Sequence, residues 1–152
     1  MLRKHQHWLP VILWMALIFA LSTSLGGADH TSQLIEPILR WLLPHASAET
    51  IGRLHFLIRK GGHLSEYAML ALLVLRAARL SLRQLVAGWS WRAAGAALAI
   101  SAAYAATDEI HQSFVPGRTA SVTDVGIDTA GAVAALALAA LRTKPVAPTS
   151  AR

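Results

Sequence analysis

The chain contains no cysteine, which excludes disulfides, thiolate metal sites and a thiol nucleophile. It is also short of charge. Only 14% of its 152 residues are Asp, Glu, Lys or Arg, against about 25% in an ordinary soluble domain. Acid is the scarcer sign, with 8 Asp and Glu against 14 Lys and Arg. Internal repeats are absent. What remains is apolar: 55% of the residues are hydrophobic and the mean hydropathy is +0.46. One domain fits in this length, and the balance reads as a polytopic membrane protein. The formal charge of +6 does not point to nucleic acid, because Lys and Arg are scattered between apolar stretches instead of forming one basic surface.

A membrane-crossing helix needs about 20 mainly apolar residues, and four stretches qualify: residues 8–25, 62–82, 88–107 and 122–141. The expected fold is all-α, a four-transmembrane-helix bundle forming one domain over residues 1–142, followed by a disordered cytoplasmic tail over 143–152 that holds Pro145 and Pro148. The first stretch has a rival reading as a signal peptide, with Arg3 and Lys4, an apolar run, and then Gly26, Gly27 and Ala28. Trp89 and Trp91 open the third stretch where an interfacial aromatic belt would lie.

Orientation follows from Lys and Arg. Arg3, Lys4, Arg76, Arg79, Arg83, Arg92, Arg142, Lys144 and Arg152 fall on one side, and Arg40, Arg53, Arg59, Lys60 and Arg118 on the other. The positive-inside rule then places both termini in the cytoplasm of an inner-membrane protein. All the acids fall on the outer side or in outer half-spans. Within the long outer loop, Leu34, Ile35, Ile38, Leu39 and Leu42 recur at helical spacing, with Pro44 as a stop. This predicts a short helix that lies in the headgroup region or caps the bundle. Ser47 opens a further helical stretch, and Gly61-Gly62 is a place for a kink into the second span.

The polar residues fall in stripes at the outer ends of the spans. Arg59, His63, Glu66 and Leu70 share one helix face, with Lys60 beside Arg59 and Tyr67 on the flank. Tyr104, Asp108 and His111 share another, with Glu109 turned towards Gln112. Asp124, Asp128, Gly131 and Ala135 form a third. Charge facing lipid is costly, so the three stripes are expected to turn inward around one polar pocket, with Arg118 in the loop between the last two spans. Gly95, Ala99 and Ala103, and again Gly131 and Ala135, have the small-xxx-small spacing that lets helices approach closely.

Each position also has a plainer reading. Arg59 and Lys60 suit interfacial snorkelling, Glu66 an ion pair with Arg59 or Arg118, and Asp124 an N-cap or first-turn position. Pro116-Gly117 is a turn signal. His63 and Glu66 have a spacing that metal ligands use, with His111 or an acid to complete a site, but no stronger metal motif accompanies them. No metal and no cofactor is therefore expected. Glu66, Asp108, His63 and His111 suit acid–base work, although nothing singles out Ser65 or Ser113 as a nucleophile.

The run Arg59-Lys60-x-x-His63-x-x-Glu66-Tyr67, then Asp108-Glu109-x-x-Gln112-x-Phe114-x-Pro116-x-Arg118, then Asp124 and Asp128-x-x-Gly131, resembles the VanZ-like family over roughly residues 8–141. Asp128 stands where relatives often have Asn, and Ala135 where they often have Gly. The family's founding member is associated with teicoplanin resistance. The resemblance thus implies a cell-envelope membrane protein with an outward-facing pocket for a lipid-linked wall precursor or a glycopeptide. An enzyme acting on a lipid headgroup is the second reading. An accessory subunit of a larger membrane complex, its polar cluster purely structural, is the third. Membrane lipids are the expected partners on every reading.

Overall fold

The computed structural model describes residues 6–82 and 88–143. Arg3, Lys4 and Arg83 of the orientation count, and residues 144–152 of the expected tail, lie outside the described residues. The elements are helices throughout: α1 (Leu9–Ser22), α2 (Ala28–Leu42), α3 (Ala48–Ser81), α4 (Trp91–Gln112) and α5 (Val122–Arg142), with short 3-10 turns at Gln6–Trp8 and Ser24–Gly26. No strand occurs among the described residues.

Local chemistry sets the boundaries. Pro10 sits in the first turn of α1, where its missing N–H costs nothing. At the other end Thr23 turns extended and its hydroxyl donates to the Ala20 carbonyl at 2.6 Å. Ser47, Ser90 and Ser121 cap α3, α4 and α5, each accepting from a backbone N–H at 3.2–3.3 Å. The helix that Ser47 opens does not stop at Gly61-Gly62 but continues as a single 34-residue helix.

The first span is shorter than its apolar run suggests. α1 has 14 residues, about 21 Å of rise against the roughly 30 Å of a bilayer core. The chain then bends by 70° into the Ser24–Leu42 segment. By length and composition one described helix, α5, is apolar enough to cross a membrane, or two if that bent pair is one broken span. The other two expected spans miss this standard for visible reasons. α3 carries Arg59, Lys60, Glu66, Arg76 and Arg79, and α4 is built largely of alanine and ends in Asp108 and Glu109.

α3 is the central helix, packed against α4, α5, α1 and α2. Its core contains Tyr67, Leu70, Ala71, Val74 and Ala77. α1 is tied on by side-chain bonds: Trp14 Nε1 donates to the Glu66 carbonyl at 2.9 Å, and the Tyr104 hydroxyl donates to the Met15 carbonyl at 2.6 Å. Yet α1 leaves Leu9, Ile12, Leu13, Leu17 and Phe19 exposed. A helix that is apolar all round and buried on one edge only suits lipid contact.

Two packing details differ from the spacing-based expectation. Gly95, Ala99 and Ala103 face outward, and the buried stripe of α4 is Ala93, Ala97, Ser101 and Ala105. In an alanine-rich helix nothing in the pattern separates one small stripe from its neighbour. Gly131, by contrast, is a true point of close approach, where an added Cβ would lie 2.2 Å from the Leu64 carbonyl oxygen of α3.

Candidate functional site

The buried stripe of α4 ends in Asp108, Glu109 and Gln112, all buried. α3 brings Arg59, His63 and Glu66 to the same end of the molecule, and α5 brings Asp124 and Asp128. The fourth contribution is a turn. Val115-Pro116-Gly117-Arg118 closes with the Arg118 N–H donating to the Val115 carbonyl at 3.2 Å. Gly117 takes a φ of 78°, the left-handed conformation that a Pro-Gly turn of this type needs at its third position. The turn aims Arg118 back under the bundle.

There the Arg118 guanidinium donates to the Gly26 carbonyl and, through Nε, to Gln112 Oε1 at 3.2 Å. Gln112 in turn donates to Asp108 Oδ2 at 2.8 Å. This chain of bonds links the α1–α2 bend to α4. Burial, and then the neighbouring Arg59 guanidinium, push the Arg118 pKa down from its ordinary value. The group nonetheless remains a cation in the working range.

Between these elements lies a cavity of about 220 Å³. Its lining combines the polar residues Arg59, His63, Glu66, Asp108 and Arg118 with the apolar residues Ile18, Leu21, Ile35 and Ile58. The remaining sequence-predicted residues surround this cavity without lining it. Lys60 pairs with Asp124 in the first turn of α5, and its ammonium lies 5.3 Å from the Phe56 ring centre. Glu109 accepts from the backbone N–H of Ser121 at 2.7 Å and so anchors the start of α5. His111 turns towards α1, with Nδ1 3.1 Å from the Ser22 hydroxyl and its ring against Phe19. Tyr67 and Asp128 are fully buried behind the wall, and Asp128 Oδ1 is 3.7 Å from His63 Nδ1.

The plainer reading of Glu66, an ion pair with Arg59 or Arg118, is not realised. The side chains of Glu66 and Arg59 face the cavity with no hydrogen bond or ion pair among the described residues. Nor do His63, Glu66 and His111 converge, and among the described residues no three His, Asp or Glu side chains are grouped as metal ligands.

Sequence reasoning missed the contribution of α1 and α2. Ser22, Gly26 and Thr31 line the cavity, and Thr31 sits 3.0 Å from Nε2 of a buried His55. The hydroxyl run Ser22-Thr23-Ser24 at the end of an apolar stretch was the available signal.

The Lys60–Asp124 pair gives a first prediction. Its side chains are largely buried, so a double-mutant cycle with Lys60→Met and Asp124→Asn should return a coupling of about 1–2 kcal/mol, between the exposed and the buried limits. A coupling near zero in thermal melts would show that the pair does not hold α3 to α5.

Comparison with known proteins adds one positive finding. No curated protein and no solved structure matches the chain. The VanZ/LLP1 family model matches residues 7–143, a stretch that includes the whole cavity and every element that builds it. On that match the chain belongs to the VanZ/LLP1 family.

Proposed function

We propose that this VanZ/LLP1 protein is an integral protein of the cytoplasmic membrane, with four crossing segments and both termini inside. On this reading its outward-facing cavity holds the polar headgroup of an amphipathic molecule, such as a lipid-linked wall precursor or a glycopeptide of the teicoplanin kind. The observation that carries this reading is the mixed lining of the cavity, in which Arg59 and Arg118 stand together with the aliphatic side chains of Ile18, Leu21, Ile35 and Ile58. Two neighbouring guanidiniums repel each other, and an anionic group placed between them relieves that repulsion and makes charge-assisted bonds. The aliphatic part of the lining then receives the start of a hydrocarbon tail. At about 220 Å³ the space suits one headgroup, with the remainder of a larger ligand left outside.

Arg59→Gln tests the reading. The Arg59 side chain makes no hydrogen bond or ion pair among the described residues, so the melting temperature of the lipid-free protein should stay as it is. Stabilisation by phospholipid should weaken by about 10- to 150-fold in concentration, the worth of one charged hydrogen bond of about 1.5–3 kcal/mol. A loss of intrinsic stability with an unchanged lipid response would contradict it. The orientation has its own test on this cysteine-free chain. A cysteine introduced at Ala48 should react with an impermeant reagent in intact cells, and one at Ser150 only after permeabilisation. The reverse pattern would invert the topology.

The second reading, an enzyme acting on the same headgroup, draws on His63 and Asp128. An imidazole with one nitrogen near a buried carboxyl group, in a cavity lining shared with Glu66 and Asp108, is an arrangement that acid–base catalysis uses. Product analysis after reconstitution with phospholipid separates the two readings. A released headgroup favours the enzyme, and unchanged lipid favours binding alone.

A further inference from the structure

Charge in the cavity is balanced, and that narrows the ligand. The wall carries two guanidiniums, Arg59 and Arg118, and two carboxyl groups, Glu66 and Asp108. Arg118 is engaged by Gly26 and Gln112, and one oxygen of Asp108 by Gln112. That leaves the Arg59 guanidinium, the Glu66 carboxyl group and Asp108 Oδ1 without a bonding partner among the described residues. Asp108 is 4% exposed, so its open oxygen is cut off from bulk water, and a buried acceptor left unmade is costly. Arg59 and Glu66 lie on one face of α3, two turns apart. The open cation and the open Glu66 carboxyl group therefore stand at different heights along α3.

A simple anion satisfies Arg59 but leaves Glu66 and Asp108 Oδ1 unpaired and repelled. A simple cation does the reverse. We infer that the ligand headgroup is a zwitterion: a phosphate diester placed at Arg59, and an ammonium bearing N–H groups placed at Glu66, beside Asp108. This rests on the reading that the cavity takes a headgroup. The ammonium is protic, because the open Glu66 carboxyl group accepts hydrogen bonds from N–H groups. A quaternary ammonium is instead recognised by aromatic faces, and among the described residues no Trp, Tyr or Phe lines this cavity. The chemistry is that of a phosphoethanolamine group, borne by a lipid or free in solution.

The test is a set of thermal-stability titrations on the full chain in an uncharged detergent. The ligands are dihexanoyl phosphatidylethanolamine, its N-acetylated form, dihexanoyl phosphatidylcholine, dihexanoyl phosphatidylglycerol and free phosphoethanolamine. The phosphatidylethanolamine should act at a concentration about tenfold or more below the other three lipids, the worth of a charged hydrogen bond. Glu66→Gln should remove that preference by weakening phosphatidylethanolamine alone, whereas Arg59→Gln should weaken all four lipids. If Glu66→Gln does not fold, the N-acetylated lipid on the unaltered protein reads the same contact. Equal potency of free phosphoethanolamine supports the zwitterion chemistry and assigns it to a soluble ligand. If phosphatidylglycerol or phosphatidylcholine matches phosphatidylethanolamine, this inference falls while the headgroup reading stands. If no ligand stabilises the protein, both fall.

Discussion

Replacing Gly131 with alanine is expected to destabilise the protein by about 2–3 kcal/mol, the upper range for an overpacked contact. The new methyl group would lie 2.2 Å from the Leu64 carbonyl oxygen and about 3 Å from the Leu64 backbone carbons. Those atoms belong to the middle of α3, and no side-chain rotation can move them aside. α5 must therefore back away from α3. Asp128, one turn before Gly131, would be drawn from His63, and Asp124 from Lys60, so the cost extends to the walls of the cavity. Gly95→Ala is the control. Nothing lies within 4 Å of its added methyl group, and alanine is the better helix former, so that variant should melt at or slightly above the parent. Equal behaviour of the two variants would show that the α3–α5 contact is looser than described.

The second large effect is expected at Arg118. Its guanidinium holds the Gly26 carbonyl at the α1–α2 bend and the Gln112 amide on α4. Arg118→Gln removes two charge-assisted bonds and should cost about 3 kcal/mol, given about 1.5–3 kcal/mol for each such bond and partial recovery by the new amide. Arg118→Lys should rescue little, because an ammonium lacks the planar fork that spans two acceptors. The two cavity arginines are thus expected to separate cleanly. Arg118 carries stability together with binding, and Arg59 carries binding alone. If Arg118→Gln melted like the parent, the tether between the bend and α4 would have to be abandoned.

The degree to which the sequence disclosed this site depends on which helix is considered. On α3 the residues Arg59, His63 and Glu66 stand out from apolar neighbours at helical spacing, and they line one wall. The Pro116-Gly117 turn was equally visible, because a left-handed φ narrows the choice of residue. α4 was harder to read. Alanine on every face hides which stripe is buried, and that uncertainty passes to the polar end, where His111 turns to Ser22 and Phe19 and does not enter the cavity wall. For the share of α1 and α2 the hydroxyl run Ser22-Thr23-Ser24 was the one signal, and it does not tell that this stretch meets the cavity. Ser22, Gly26 and Thr31 reach the cavity because the chain bends by 70° after α1, and no periodic pattern encodes a bend. Glu66 illustrates a further limit. Two arginines in reach suggested an ion pair, yet Arg118 is held by neutral acceptors and Glu66 is left open to the cavity.

α2 also shows how composition and geometry combine. Its Leu39 packs inward, Thr31 bonds His55, and Leu34, Ile38 and Trp41 remain exposed, Trp41 at 80%. Leaving α1 at a steep angle, such a helix is suited to lie along a membrane surface with its apolar side in the interface. That position would put the cavity, which Ile35 of α2 helps to line, near the level where lipid headgroups reside.

A density map of the protein extracted with its native lipids should show a bound amphiphile with its phosphate between Arg59 and Arg118, its polar remainder reaching Glu66, and its first carbons against Ile18 and Ile58. A cavity holding water alone, or one closed by the side chains of another protein, would contradict it.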